Sequence, residues 1–180
     1  MLFTYSQCKE KYGSQYQINL AMKEGKLFQF EKGVYSDKKR ESELAIIFFK
    51  YPNAVLTMNS ALYHYNLTDT IPEKFYLATE RGAPKISDPR VVQKFENSGT
   101  VKLGAVDFDE KDVKVHIYNK ERLLLELLRN KSKLSFDYYK EALNNFRRII
   151  DELNIQDIQD YACELPKSRM IMELLRLEVL

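Results

Sequence analysis

Asp109-Glu110-Lys111 matches the (D/E)xK half of a metal-dependent nuclease site, with Asp88 as a distant carboxylate partner. Such a site needs carboxylates that converge on Mg²⁺ and a Lys that assists the attacking water. The same tripeptide also reads as a charged hairpin turn between two strand-like runs, and this reading is favoured. His64 and His116 are the only histidines, and neither stands at ligand spacing from a Cys or a carboxylate. His64, between Tyr63 and Tyr65, is expected to pack. Cys8 and Cys163 form no CxxC and are expected as free thiols in a reducing compartment. There is no Gly-rich phosphate loop and no Ser-His-Asp order. The expectation is a protein without enzymatic activity, bound metal or cofactor.

A different chemistry is written near the N-terminus. Stepping from Ile18 at 100° per residue places Tyr16, Asn19, Leu20 and Lys23 on the far face of a helix, with Gln17 on the flank. Asn and Gln can form paired hydrogen bonds with an adenine edge, and Leu20 can touch a thymine methyl group. Lys23, Lys26, Lys32, Lys38, Lys39 and Arg40 are then candidates for phosphate contacts, which set register rather than sequence. Ser14, at the start of that helix, completes the candidate DNA-binding set. The same face also suits a solvated helical hairpin with no ligand, or a protein–protein module.

The elements that must position these residues follow from caps and turns. Thr4-Tyr5-Ser6-Gln7 has the capping-box pattern, and Phe3 with Cys8 can form the accompanying staple. Tyr5, Cys8 and Tyr12 share a face, and Gly13 ends the helix. Ser14 and Gln17 repeat the device, and Ile18, Ala21 and Met22 give the second helix its apolar stripe, closed by Gly25. Leu27 to Phe30 alternates like a strand, Glu31-Lys32-Gly33 is a turn, and Val34-Tyr35-Ser36 returns. Two short helices with a tight turn, followed by a hairpin, predict a winged helix-turn-helix. Its usual leading helix is missing, because only Met1-Leu2-Phe3 precede the first cap. The helix beginning near Arg40 is the natural cover for its apolar faces.

Composition sets the outer bounds. The 180 residues are 44% apolar and 12% aromatic, enough for a real core, and the net charge is only +2. Residues 1–40 hold eight Lys/Arg against four Asp/Glu, so the head is basic and the remainder carries −2. A basic head points to phosphate contacts. No signal peptide opens the chain, and the longest apolar run, Leu44 to Phe49, is too short to cross a bilayer. The expectation is a cytoplasmic protein without membrane contact.

In the body, Asp37 is expected to cap a helix through Glu41, Leu44, Ala45, Phe48 and Phe49, ending before Tyr51-Pro52. Strands are expected over 54–57, 74–79, 91–96, 101–108 and 113–117, with a short helix over 60–65. After Tyr118 the pattern turns helical. Asn119, Ser135 and Asn154 are expected caps, and Ser168 begins a fourth helix.

Several of these stretches resemble the AbiEi family, the antitoxin half of abortive-infection type IV toxin–antitoxin pairs. Glu24-Gly25-Lys26-Leu27 through Lys32-Gly33-Val34-Tyr35 is similar to its N-terminal "KGKL…RGVY" pattern. Ser60 to Asp69, followed by Ile71-Pro72-Glu73-Lys74-Phe75-Tyr76, resembles its "SAL…GLTD.IP" segment. Val115 to Leu124 with Leu127-Leu128-Arg129 resembles "v.vys.ERtl.DllR", and Phe136 to Phe146 resembles the "EAL..Y" helix after it. The segments occur in family order and span nearly the whole chain.

The resemblance implies a DNA-binding head that represses its own operon at promoter inverted repeats. It also implies a C-terminal domain that counteracts a nucleotidyltransferase-like toxin, in several systems without a stable toxin complex. It marks Glu121, Arg122 and Arg129 as antitoxin-domain candidates. Glu121 at the start of its helix equally suits a dipole role. The expected class is α+β: a short, truncated winged helix-turn-helix over 1–38, then a mixed α/β antitoxin domain over 39–180 ending in a four-helix tail. It would act as a monomer, or as a dimer on DNA.

Overall fold

Residues 1–179 are described by the computed structural model, and they form an α+β protein of eight α-helices and two β-sheets. They fall into two compact units. One is Met1–Pro52 with Phe108–Val115; the other is Asn53–Asp107 with the chain from His116 onward. This division differs from the expected boundary at residue 38, because more of the chain is needed to close the first unit's core.

The first unit runs β1 (Leu2–Thr4), α1 (Tyr5–Tyr12), α2 (Gln15–Lys23), β2 (Phe28–Glu31), β3 (Val34–Ser36) and α3 (Glu43–Lys50). Both halves of the α1 capping box are made: Gln7 N–H donates to Thr4 Oγ1 at 3.2 Å, and Thr4 N–H donates to Gln7 Oε1 at 2.7 Å. Gly13, at φ 83°, turns the chain out of α1. Ser14 Oγ then accepts the Gln17 N–H at 3.3 Å and starts α2.

The residues ahead of the first cap are not idle. Leu2-Phe3-Thr4 pairs antiparallel with β3, at Leu2↔Ser36, Phe3↔Tyr35 and Thr4↔Val34. The hairpin β2–β3 thereby becomes a three-stranded sheet of order β1-β3-β2.

Cys8, Ile18, Ala21, Leu27 and Tyr35 form one core cluster, with Phe3, Tyr12 and Met22 packed against it. Tyr5, expected on the same face, is 38% exposed. A second cluster joins Leu2 and Val34 to Ala45 and Ile46 of α3, with Phe30, Phe49 and Val113 beside them. So α3 does cover the apolar face, as its pattern predicts. Its cap is Ser42 rather than Asp37, with Ala45 N–H donating to Ser42 Oγ at 3.4 Å. Glu41 lies outside the helix, and its Oε1 accepts a hydrogen bond from the Ser36 hydroxyl at 2.6 Å.

The remaining elements are β4 (Val55–Leu56), α4 (Met58–His64), β5 (Phe75–Glu80), β6 (Val91–Glu96), β7 (Ala105–Glu110), β8 (Val113–Tyr118), α5 (Lys120–Arg129), α6 (Phe136–Arg148), α7 (Ile155–Glu164) and α8 (Ser168–Glu178). The sheet order is β6-β5-β4-β8-β7. β4 runs antiparallel to β5 and parallel to β8, and β5 runs parallel to β6.

The strand expected over 101–108 begins only at Ala105. Residues 101–104 turn instead, with Val101 buried and Gly104 at φ 72°. A Cβ on Gly104 would stand 2.7 Å from the Arg122 Cβ and 2.9 Å from Asn119 Oδ1, so the turn is held tightly against the start of α5.

Asn119 caps α5, and Arg122 to Leu128 are all buried. α5 is thus a central helix buried all round rather than an amphipathic one, and α4, α6, α7 and α8 pack against it. Asn154 caps α7, as its spacing predicts. Ser135 makes no side-chain cap bond, and α6 stops at Arg148, before a 3₁₀ turn over Ile150–Glu152.

Candidate functional site

α2 presents its polar residues outward from the first unit. Ile18 and Ala21 anchor its inner side at 0% and 5% exposure. Tyr16 is 72% exposed and Leu20 36%, and Tyr16, Asn19, Leu20, Met22 and Lys23 line one shallow surface depression. Gln17 and Asn19 are exposed, and Asn19 Oδ1 accepts a hydrogen bond from Gln15 Nε2 at 2.9 Å. Ser14 is exposed too, but its hydroxyl is taken by the cap.

The basic residues divide into two groups. Lys26 Nζ lies 2.6 Å from Glu24, and this hydrogen bond raises the Lys26 pKa above its ordinary value. Lys38 Nζ lies 2.7 Å from Asp112 and is raised in the same way, while the Lys38 bond lowers the Asp112 carboxyl. Lys23, Lys32, Lys39 and Arg40 are exposed, with no carboxylate in ion-pair contact among the described residues. Lys26 and Lys38 each have a carboxylate partner, and among the described residues these four do not. Glu24 stands beside Lys26 in the sequence, but Asp112 lies 74 residues from Lys38, so the sequence could not show that second pairing.

Lys111 and Asp88 of the nuclease-like set each have a partner of opposite charge. Lys111 and Asp112 form the two-residue link between β7 and β8, with Lys111 at φ 57° and its Nζ 3.5 Å from Glu41 Oε2. Asp88 is held bidentately by Arg90, at 2.9 and 2.7 Å. No group of three or more His, Cys, Asp and Glu among the described residues could hold a metal ion. His64 is exposed and meets the Tyr65 ring edge-on at 5.2 Å. His116, which has no ligand-spaced neighbour in sequence, finds Asp107 across the β7–β8 pair, with Nδ1 and Oδ1 2.5 Å apart. Cys8 is buried, and burial raises its thiol pKa; Cys163 is exposed.

The candidate residues on α5 have different surroundings. Glu121 and Arg122 are not paired with each other. Glu121 Oε1 accepts the Asn154 N–H at 3.1 Å, at the start of α7. Arg122 is fully buried. Its Nε donates to Glu126 Oε1 at 3.0 Å, its Nη1 donates to the carbonyls of Thr100 and Leu103, and its guanidinium stacks 4.5 Å from the Tyr118 ring centre. Arg129 bridges Glu96 and Glu126, with contacts of 3.0 to 3.2 Å. Asn130 Nδ2 adds a bond to Glu126 at 3.3 Å.

Burial pushes the Glu126 carboxyl above the ordinary carboxylate range, against the pull of Arg122 and Arg129. Burial likewise raises the Tyr118 hydroxyl. The i,i+4 and i,i+3 spacings of Arg122, Glu126 and Arg129 were available in the sequence. Glu96 was not, because it arrives from a strand.

No family model matches the chain, and no curated protein matches it. Its fold is similar to that in the crystal structure of the RV2827C protein from Mycobacterium tuberculosis. The TM-score is 0.65 at 14% identity, covering 98% of this chain and 71% of that one. At that identity the likeness speaks to the fold alone. No helix among the described residues is long and apolar enough to cross a membrane.

Proposed function

We propose that the chain is an AbiEi-type antitoxin that also represses its own operon, with the first unit acting as a winged helix-turn-helix. The observation that carries the DNA half is the presentation of α2. Its inner side is locked into the core while Tyr16, Gln17, Asn19 and Lys23 stand outward beside a β-hairpin. α2 is then the reading helix and Lys32 lies on the wing. β1 pairs with the wing strand β3, and α3 packs against Leu2 and Val34. The basic balance of residues 1–40 supports the same reading. Inverted repeats in the promoter would be met by two copies assembled on DNA.

A gel shift with the chain's own upstream DNA tests this half. Specific binding predicts tighter binding to that DNA than to a scrambled duplex at every salt concentration, and equal affinities would exclude it. The Lys23→Ala variant should weaken binding to both duplexes, whereas Gln17→Ala and Asn19→Ala should mainly reduce the preference between them.

The antitoxin half rests on the ordered resemblance segments, and it concerns a nucleotidyltransferase-like toxin. Direct toxin contact is not required by this reading. Growth rescue from the neighbouring toxin gene tests it, using the Tyr16→Ala/Lys23→Ala variant to silence the head without disturbing its core. Rescue by that variant would separate neutralisation from DNA binding. A chain that rescued no toxin-expressing cell would sink the antitoxin assignment.

A second reading has its own observation. Tyr16 and Leu20 expose apolar surface on α2, which also suits a protein partner with the DNA-binding role lost. Loss of rescue in the Tyr16→Ala/Lys23→Ala variant, with no DNA binding by the parent chain, would favour it.

A further inference from the structure

α2 carries no arginine, and the first in the chain is Arg40. Arginine is the commonest reader of guanine, through its O6 and N7. What α2 offers instead is a side-chain amide beside apolar surface. Asn19, Leu20 and Lys23 follow Tyr16 at helical spacing, and with Met22 these residues line one shallow depression of about 500 Å³. Leu20 is exposed there, and Met22 is half-buried and packs against the core cluster of Cys8, Ile18 and Leu27. Ile18 and Ala21 are buried on the inner side of the helix, so the backbone under the depression is fixed.

Asn19 is exposed yet tethered. Its Oδ1 accepts a hydrogen bond from Gln15 Nε2 at 2.9 Å, from about one helical turn earlier. A side-chain amide has two N–H donors and two acceptor lone pairs, so both donors and one lone pair stay uncommitted among the described residues. The major-groove edge of adenine needs an acceptor for its N6 amino group and a donor for N7, and that set supplies both. The Gln15 bond also removes rotamer freedom that Asn19 would otherwise lose on binding. Leu20, next in sequence and in the same depression, gives apolar surface for the C5 methyl of thymine. Cytosine lacks that methyl, and guanine presents an acceptor where adenine presents its amino donor.

Resting on the reading of α2 as a DNA-binding helix, we propose that Asn19 and Leu20 act as a unit that selects adenine and a neighbouring thymine in the major groove. Gln15 is the positioning residue that holds the Asn19 amide for this contact. The ligand of the depression is therefore duplex DNA with A·T pairs at the centre of each half-site.

The test uses the full chain to enrich duplexes from a random-sequence pool, and then measures affinity for the enriched duplex with small replacements in its bases. A·T pairs should dominate the half-site centre. There, 7-deazaadenine, which lacks the N7 acceptor, should weaken binding about fivefold. Deoxyuridine, which lacks the thymine methyl, should weaken it about fourfold. Asn19→Ala should abolish the response to 7-deazaadenine and keep the response to deoxyuridine, and Leu20→Ala should do the reverse. Lys23→Ala should weaken binding to every duplex and keep both responses. Gln15→Ala should weaken binding about threefold in the parent chain and have no further effect beside Asn19→Ala. A loss that persists beside Asn19→Ala would mean that Gln15 meets DNA itself, and would overturn its positioning role. A G·C half-site centre, or indifference to both base replacements, would overturn the proposal while leaving DNA binding in place. Enrichment of no sequence at all would overturn the DNA reading itself, and the proposal with it.

Discussion

α2 and α5 both carry polar and charged residues at helical spacing, yet the two helices use them in opposite ways. On α2 they stand in water, and the bonds among them, such as Gln15 to Asn19, are exposed. On α5 they are sealed in. Arg122 is 0% exposed and Glu126 is 2% exposed. An exposed face contributes little to stability and is available to a ligand. The buried network is held by ion pairs of Arg122 with Glu96 and Glu126, although Arg122 Nη2 and the Tyr118 hydroxyl are buried without a hydrogen-bond partner. Resemblance marks Arg122 and Arg129 as antitoxin-domain candidates, and both stand in this ion-pair network.

The sharpest way to break this contrast is to remove one charge from each helix. Arg122→Met leaves Glu126 buried without its main partner and strips the donor from the Thr100 and Leu103 carbonyls. It should cost about 3 to 5 kcal/mol in urea unfolding. Lys23→Ala on α2 should stay within about 0.5 kcal/mol. Comparable losses for the two would mean that the Arg122 network is not holding the second unit.

Gly104→Ala probes the turn that brings those carbonyls to Arg122. Positive φ and the 2.7 Å approach to the Arg122 Cβ should together cost roughly 2 to 4 kcal/mol. The same change at Gly13, also at positive φ but with open space around its Cβ, should cost only the backbone share, about 1 to 2 kcal/mol. Equal values would show that crowding contributes nothing at Gly104.

Ser14→Ala removes the cap of α2 and should cost about 1 kcal/mol, while Ser14→Gly should cost only a few tenths. If Ser14 instead contacted a phosphate, Ser14→Ala would weaken DNA binding with no change in melting temperature.

The smallest effect concerns pH. Burial tends to raise the Glu178 carboxyl, but hydrogen bonds from Lys131 and Tyr139 outweigh it and lower the pKa. A folded-state pKa below the unfolded value stabilises the native state above roughly pH 4.3, and that stabilisation is lost as pH falls through the folded value. The tie at the end of α8, which includes Tyr139 Oη donating to Glu178 at 2.6 Å, should therefore loosen in acid. Tyr139→Phe should flatten this acid dependence of stability, and an unchanged slope would remove Glu178 from the account.

Much of the first unit was legible because it is built from local signals. The Thr4–Gln7 box, the Ser14 cap, Gly13 and the Lys32-Gly33 turn all act within four residues. The outward set on α2 follows from helical spacing alone. What was not legible arrives from afar. β1 forms because Leu2-Phe3-Thr4 finds β3 more than thirty residues on. The cap of α3 shifted from Asp37 to Ser42, leaving Glu41 free to accept from Ser36. The run over 101–104 looked like a strand because Val101 and Leu103 alternate, but the turn is needed there to satisfy Arg122.

Sequence by itself determined the class of the protein and most of its elements, the polar face of α2 and the basic character of the head, because caps, turns and periodicity are short-range. Tertiary structure decided which charges are available. It paired Lys38 with Asp112, Arg129 with Glu96 and His116 with Asp107, and it drew Val113 into the core of the first unit. The reason is physical. Desolvation and ion pairing depend on distance in space, and the partners that settle them sit on other strands and turns.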